Sequence, residues 1–139
     1  AQTATRKDMV KWNGVWRITQ KEKLSFLVFY TDLFYNTPGG ISLGQLHSDP
    51  TQARAGSITN KASVRNQTPF FAVSLQSFLS ASFTNTTSAV VNHTSFINTT
   101  IFNYEKRSEW NESARTIFSY TIKKNKILLI KKHIYSQMT

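Results

Sequence analysis

The chain contains no cysteine in 139 residues. That excludes a disulfide framework, a cysteine-based zinc finger, a cysteine-ligated iron–sulfur site and a cysteine nucleophile. Five glycines and three prolines are too few for a collagen-like or linker-like chain. Long hydrophobic runs are also missing. The runs are short, such as Ile127-Leu128-Leu129-Ile130, whereas a helical span needs about 20 apolar residues, so no membrane span is expected. No leader-like hydrophobic region opens the chain at Ala1-Gln2-Thr3-Ala4-Thr5. Gly39-Gly40 after Pro38 lacks the Lys-Ser/Thr of a phosphate loop and reads as a turn.

Acidic residues are scarce: seven against 17 Lys and Arg, a formal net charge of +10. A field of that sign favours nucleic acid, anionic lipid or sulfated glycan as partners. The charge is uneven. Residues 1–23 and 105–139 are basic, and residues 66–104 carry no charged side chain at all. With 40% hydrophobic and 13% aromatic residues, the composition is that of a folded domain rather than a disordered chain.

Residues 1–12 read as a basic, loosely held arm and residues 13–139 as one β-rich domain. Asn13-Gly14 and Asn66-Gln67-Thr68-Pro69 read as turns. The run Leu24-Ser25-Phe26-Leu27-Val28-Phe29-Tyr30 favours strand. Ile41, Leu43 and Leu46 suggest a weak strand, and residues 47–56 a loop. In residues 70–78, Phe71, Val73 and Leu75 alternate with Ala72, Ser74 and Gln76, as on a half-buried strand. Residues 80–100 read as further alternating strands with Ser, Thr and Asn on their outer face. Residues 105–115 are the best short-helix candidate, with Ser108 as cap. Lys123-Lys124-Asn125-Lys126 reads as a hairpin turn. Together these predict an all-β fold: an antiparallel sandwich or small barrel of seven to nine short strands, with at most one or two short helices.

Catalytic candidates are few. His47, His93 and His133 lack metal-ligand spacing, and no metal or other cofactor is implied. His47 with Asp49 and Ser48 or Ser57 reads as ordinary loop polarity, and Glu105, Glu109 and Glu112 as a surface laced with ion pairs. Five Asn-x-Ser/Thr triplets place N-glycosylation acceptors at Asn66, Asn85, Asn92, Asn98 and Asn111. Gly14-x-Trp16, with Trp110 late in the chain, resembles small secreted barrels such as avidins and lipocalins; the resemblance covers those residues only, and no ligand set comes with it.

The expected function is that of a non-enzymatic binding or structural module, recognising glycans or anionic polymers at a basic and aromatic surface. Trp12 and Trp16 would stack on sugar faces, and Arg17, Arg54, Lys61 and Arg65 would hold anionic groups. The alternative is a nucleic-acid-associated protein, such as a small capsid or ribonucleoprotein component. There Arg6, Lys7, Lys11, Lys123, Lys124, Lys126, Lys131 and Lys132 would meet phosphates. A secreted ligand-binding barrel comes third. An oligomer or larger assembly is expected, secreted or on a virion surface, or intracellular under the nucleic-acid alternative.

Overall fold

A computed structural model describes residues 3–122 and 125–138, with residues 125–126 and 134–138 as backbone only. The chain is all-β. Six antiparallel strands form one sheet in sequence order: β1 (Thr5–Arg17), β2 (Glu22–Asn36), β3 (Ser63–Phe78), β4 (Phe83–Thr99), β5 (Tyr104–Ile122) and β6 (Asn125–Met138). Two short helices, α1 (Leu43–Ser48) and α2 (Ala55–Thr59), lie in the connection between β2 and β3. That connection is the long one at its end of the sheet. The other end carries the tight turns 18–21 and 79–82, closed by bonds such as Ile18 N–H to the Glu22 carbonyl and Leu79 N–H to the Phe83 carbonyl.

Six strands are seen rather than seven to nine, and they make neither a sandwich nor a closed barrel. The sheet is open, with β1 and β6 as its edges. The strand count falls because the strands are 13–19 residues long, against a usual five or six, and run through signals that read as breaks. Residues 5–12 belong to β1 rather than to an arm. Asn13-Gly14 lies within β1, opposite Leu27 and Phe26. A Cβ on Gly14 would sit 2.6 Å from Cζ of Phe26, so the glycine makes room for that ring rather than turning the chain. Asn66 to Pro69 lies within β3. Proline has no N–H to give, and the ladder to β4 skips Thr68 and Pro69 while the ladder to β2 continues.

Residues 105–115 are strand, not helix. Their charges work at a period of two: Arg107 bridges Glu105 at 2.8 Å and Glu109 at 3.0 Å along one strand face. Residues 43–48 are helix rather than weak strand, begun by a capping box in which Ser42 and Gln45 satisfy each other's backbone N–H groups.

The sheet has almost no core. Among the described residues only Ala62 and Val64 are buried hydrophobics, and both lie where the α1–α2 connection folds back onto the start of β3. Among the described residues no second layer covers the rest of the sheet.

Candidate functional site: a sheet with two unlike faces

Residues paired across antiparallel strands point to the same side, and neighbours along a strand to opposite sides. The register therefore sorts the sheet into two faces. Side-chain contacts agree with the sorting. Trp12 packs edge-on against Phe26, and Phe83 stacks with Phe118 and meets Tyr120 edge-on, all on one face. Phe29 stacks on Phe70, and Arg107 lies over Phe96, on the other.

The first face carries an apolar belt. It holds Val10, Trp12 and Trp16 of β1, Leu24, Phe26 and Val28 of β2, and Phe71, Val73 and Leu75 of β3. It continues through Ala89 and Val91 of β4 to Phe118, Tyr120 and Ile122 of β5 and Ile127 and Leu129 of β6. Asn85, Thr87 and Thr116 interrupt the belt but satisfy one another: Thr87 bonds to Asn85 and Thr116 at 3.1 Å each, and Asn85 Nδ2 donates to the Ile117 carbonyl at 3.4 Å.

The second face is mainly polar, with an apolar minority that includes Leu27, Phe29, Phe70, Val90, Phe96 and Ile117. Ser25, Ser74, Ser88 and Ser113, with Thr31, Thr68, Thr86 and Thr94, are spread across it. Ser88 bonds to Ser74 at 3.1 Å, and Asn111 to Asn92 at 3.1 Å.

Exposure alternates with the faces over parts of β2–β5, whereas almost all of β1 and every described side chain of β6 are exposed whichever face they take. Phe71 (44%), Trp110 (48%), Phe118 (41%) and Tyr120 (47%) are exposed, while Asn111, Ser113, Ile117 and Ser119 between them are half-buried. Side chains splay apart on the convex side of a curled sheet and crowd together on the concave side. By that criterion the middle strands make the apolar face the convex one and the mainly polar face the concave one, the reverse of a water-soluble barrel or sandwich.

The belt also slants. Trp12, Val28, Phe71 and Val91 form one cross-strand row, which continues to the charged Glu112 of β5. The row of Glu22, Ser77 and Asn85 is polar on β2–β4 and becomes Phe118 and Leu129 on β5–β6. Across the five steps from β1 to β6 the belt moves about six residues along the strands. At about 3.3 Å per residue and 4.8 Å per strand, that is a tilt of roughly 40°.

At the margin of the belt, toward the α1–α2 connection, sits an ion cluster. Arg65 grips buried Asp32 with both ends of its fork, at 3.0 and 2.6 Å. Arg6 approaches Asp32 at 3.6 Å and pairs with Asp8 at 3.1 Å. Gln67 donates to Asp32 at 3.2 Å and to the Tyr30 hydroxyl at 2.9 Å. The hydrogen bond from Arg65 is the chief reason that the Asp32 carboxyl titrates below its ordinary value. Asp32 therefore stabilises the fold in full above the ordinary carboxylate pKa of about 4. That contribution is lost as pH falls through the lower folded value. Denaturant titrations from pH 6 downward are expected to show a steeper acid loss in the wild type than in Asp32→Asn; equal slopes would contradict the assignment.

The fold separates the residues expected to bind ligand. Trp12 and Trp16 lie on the convex face and Arg17 on the concave one. Arg65 is committed to Asp32, and Arg54 lies over Phe102 at 5.5 Å from the ring centre. Lys61 lines an open cleft of about 970 Å³ with Asp49, Gln52 and Phe34. Of the cations expected to meet phosphates, Lys7, Lys11 and Lys132 share the concave face, while Arg6 and Lys131 are on the convex one. Lys123 and Lys124 lie outside the described residues, and Lys126 is described only as backbone in β6. All five sequon asparagines are strand residues, Asn85 on the convex face and the other four on the concave face. The Asp49 carboxylate bonds to the backbone and hydroxyl of Thr51, at 2.9 and 2.7 Å.

Sequence reasoning missed the belt as a surface. Its signal, the alternation in residues 70–78, was visible, but the slant requires the register. Among the described residues no cluster of three potential metal ligands forms, and no helix is long and apolar enough to cross a membrane. In comparison with known proteins, the chain matches no family model and no curated relative.

Proposed function

We propose that this chain is an arc of the wall of a membrane-spanning β-barrel. Its convex belt meets lipid hydrocarbon, and its concave polar face lines an aqueous interior. The role is structural and permeation-related rather than catalytic. The observation that carries this reading is the contrast between the faces: a continuous apolar belt on the more exposed side, and most of the Ser, Thr, Asn and surplus cations on the other. Three features support it. Strands of 13–19 residues exceed the 9–11 residues needed to cross a bilayer as tilted strands. The belt's slant of about 40° matches the tilt that barrel closure imposes on strands. The belt's polar side chains bond among themselves, as a solvent without hydrogen-bonding groups demands.

Six strands are fewer than the eight of the smallest such barrels, so β1 and β6 would pair with further strands. Those strands would also explain why two long edges of the sheet are left open. A second protein layer on the apolar face is the competing reading. It accounts for the burial that the belt needs, but it leaves both the convex curvature and the slant without a cause.

Dilution of the urea-unfolded protein into short-chain phosphatidylcholine vesicles tests the proposal. The protein is expected to float with the vesicles and to resist extraction by alkaline carbonate. A folded protein that stays in the aqueous fraction would contradict it.

A further inference from the structure

Charge also divides between the two faces. Among the described strand side chains, the convex face carries Arg6, Arg65, Lys106 and Lys131 against Asp8, Glu22, Asp32 and Glu112, an even balance. The concave face carries seven cations against only Glu105 and Glu109, and both of those carboxylates are taken by Arg107.

Two pairs of the remaining cations stand directly opposite each other on neighbouring strands: Arg17 with Lys23, and Arg115 with Lys132. Like charges facing across a ladder repel and destabilise it. Among the described residues none of the four is in an ion pair. A fold that gathers its surplus charge on one face, and sets it in repelling pairs, has room there for mobile anions that relieve the repulsion. The row of Ser25, Ser74 and Ser88, one same-face position from Lys23 on β2, leads across the sheet to Arg115.

We infer that the concave face is an anion pathway, selecting small inorganic or carboxylate anions over cations by the Arg17/Lys23 and Arg115/Lys132 pairs. The inference rests on the proposed barrel wall, whose interior this face would line. Focusing of the cationic field in a low-dielectric channel raises the local anion concentration, and rings of Arg and Lys are a general means of anion selection in pores.

The test is the reversal potential of the full protein in a planar bilayer under a potassium chloride gradient. The wild type is expected to pass chloride in preference to potassium. The double substitution Lys23→Glu with Arg115→Glu is expected to reverse the sign of the potential, and Lys23→Gln with Arg115→Gln to reduce it. Lys131→Gln, on the convex face, is expected to leave it in place. Conductance that prefers potassium, or a chloride preference that both double variants retain, would overturn the inference and leave the barrel wall standing. Absence of any conductance from protein that has entered the bilayer would overturn the inference too, while protein that fails to enter would overturn the barrel wall.

Discussion

Phe71→Lys is expected to cost about 2–4 kcal/mol of membrane insertion, the range for a cation at the midplane of a barrel's lipid face. Ser74→Lys, three residues along the same strand, is expected to cost far less. Phe71 lies in the centre of the convex belt, between Val28 and Val91. Ser74 points to the concave side, where its hydroxyl meets Ser88, and a lysine there joins other cations in water. At about 1.4 kcal/mol per factor of ten, the Phe71 variant would lose roughly 30- to 1,000-fold in the insertion equilibrium. Urea titrations of both variants in vesicles measure the difference. Equal losses would mean that the two faces meet the same environment.

The slant of the belt yields a second large effect. Phe118 and Ser77 lie on the same face and in one cross-strand row, through Asn85. In an untilted sheet they would sit at equal depth, and a lysine would cost the same at either. With the strands tilted by about 40°, Phe118 lies near the middle of the belt and Ser77 at its margin. Phe118→Lys is therefore expected to lose most of the 2–4 kcal/mol that a midplane cation costs, and Ser77→Lys about 1 kcal/mol or less, the range near the interface. The same vesicle titrations decide it. A larger loss at Ser77 would remove the tilt from the account.

Much of the local structure could be read from the residues. The alternation of Phe71, Val73 and Leu75 with Ala72, Ser74 and Gln76 places them on opposite faces, as found. The charge-free stretch 66–104 spans most of β3 and all of β4, the two middle strands of the sheet. What was hidden depended on tertiary context. Gly14 breaks a strand in most settings, but here the Phe26 ring fills the space above it. Pro69 is tolerated because one ladder skips it. β1 therefore read as an arm and a short strand, and β3 as two short strands, the second of which inflated the count. Glu105, Arg107 and Glu109 suit ion pairing on a helix or a strand, and only pairing with β4 selects the strand.

The candidate site was less legible than the fold. Trp12 and Arg17 look like parts of one basic and aromatic surface when read along the chain. They separate because five residues along a strand is an odd number, which puts them on opposite faces. Whether the apolar face is convex or concave is a property of the whole sheet, and no local pattern carries it.

Within the belt, residues 71, 73 and 75 of β3 are assigned to lipid and residues 70, 72, 74 and 76 to water. The chain has no native cysteine, so single cysteines through residues 70–76 can each carry a nitroxide without background labelling. In vesicles, accessibility to oxygen, which partitions into lipid, should peak at 71, 73 and 75. Accessibility to a water-soluble nickel chelate should peak at 70, 72, 74 and 76. Labels at 71, 73 and 75 that are shielded from both reagents, or open to the chelate, would contradict the account, the first by showing a covering protein layer and the second by showing water.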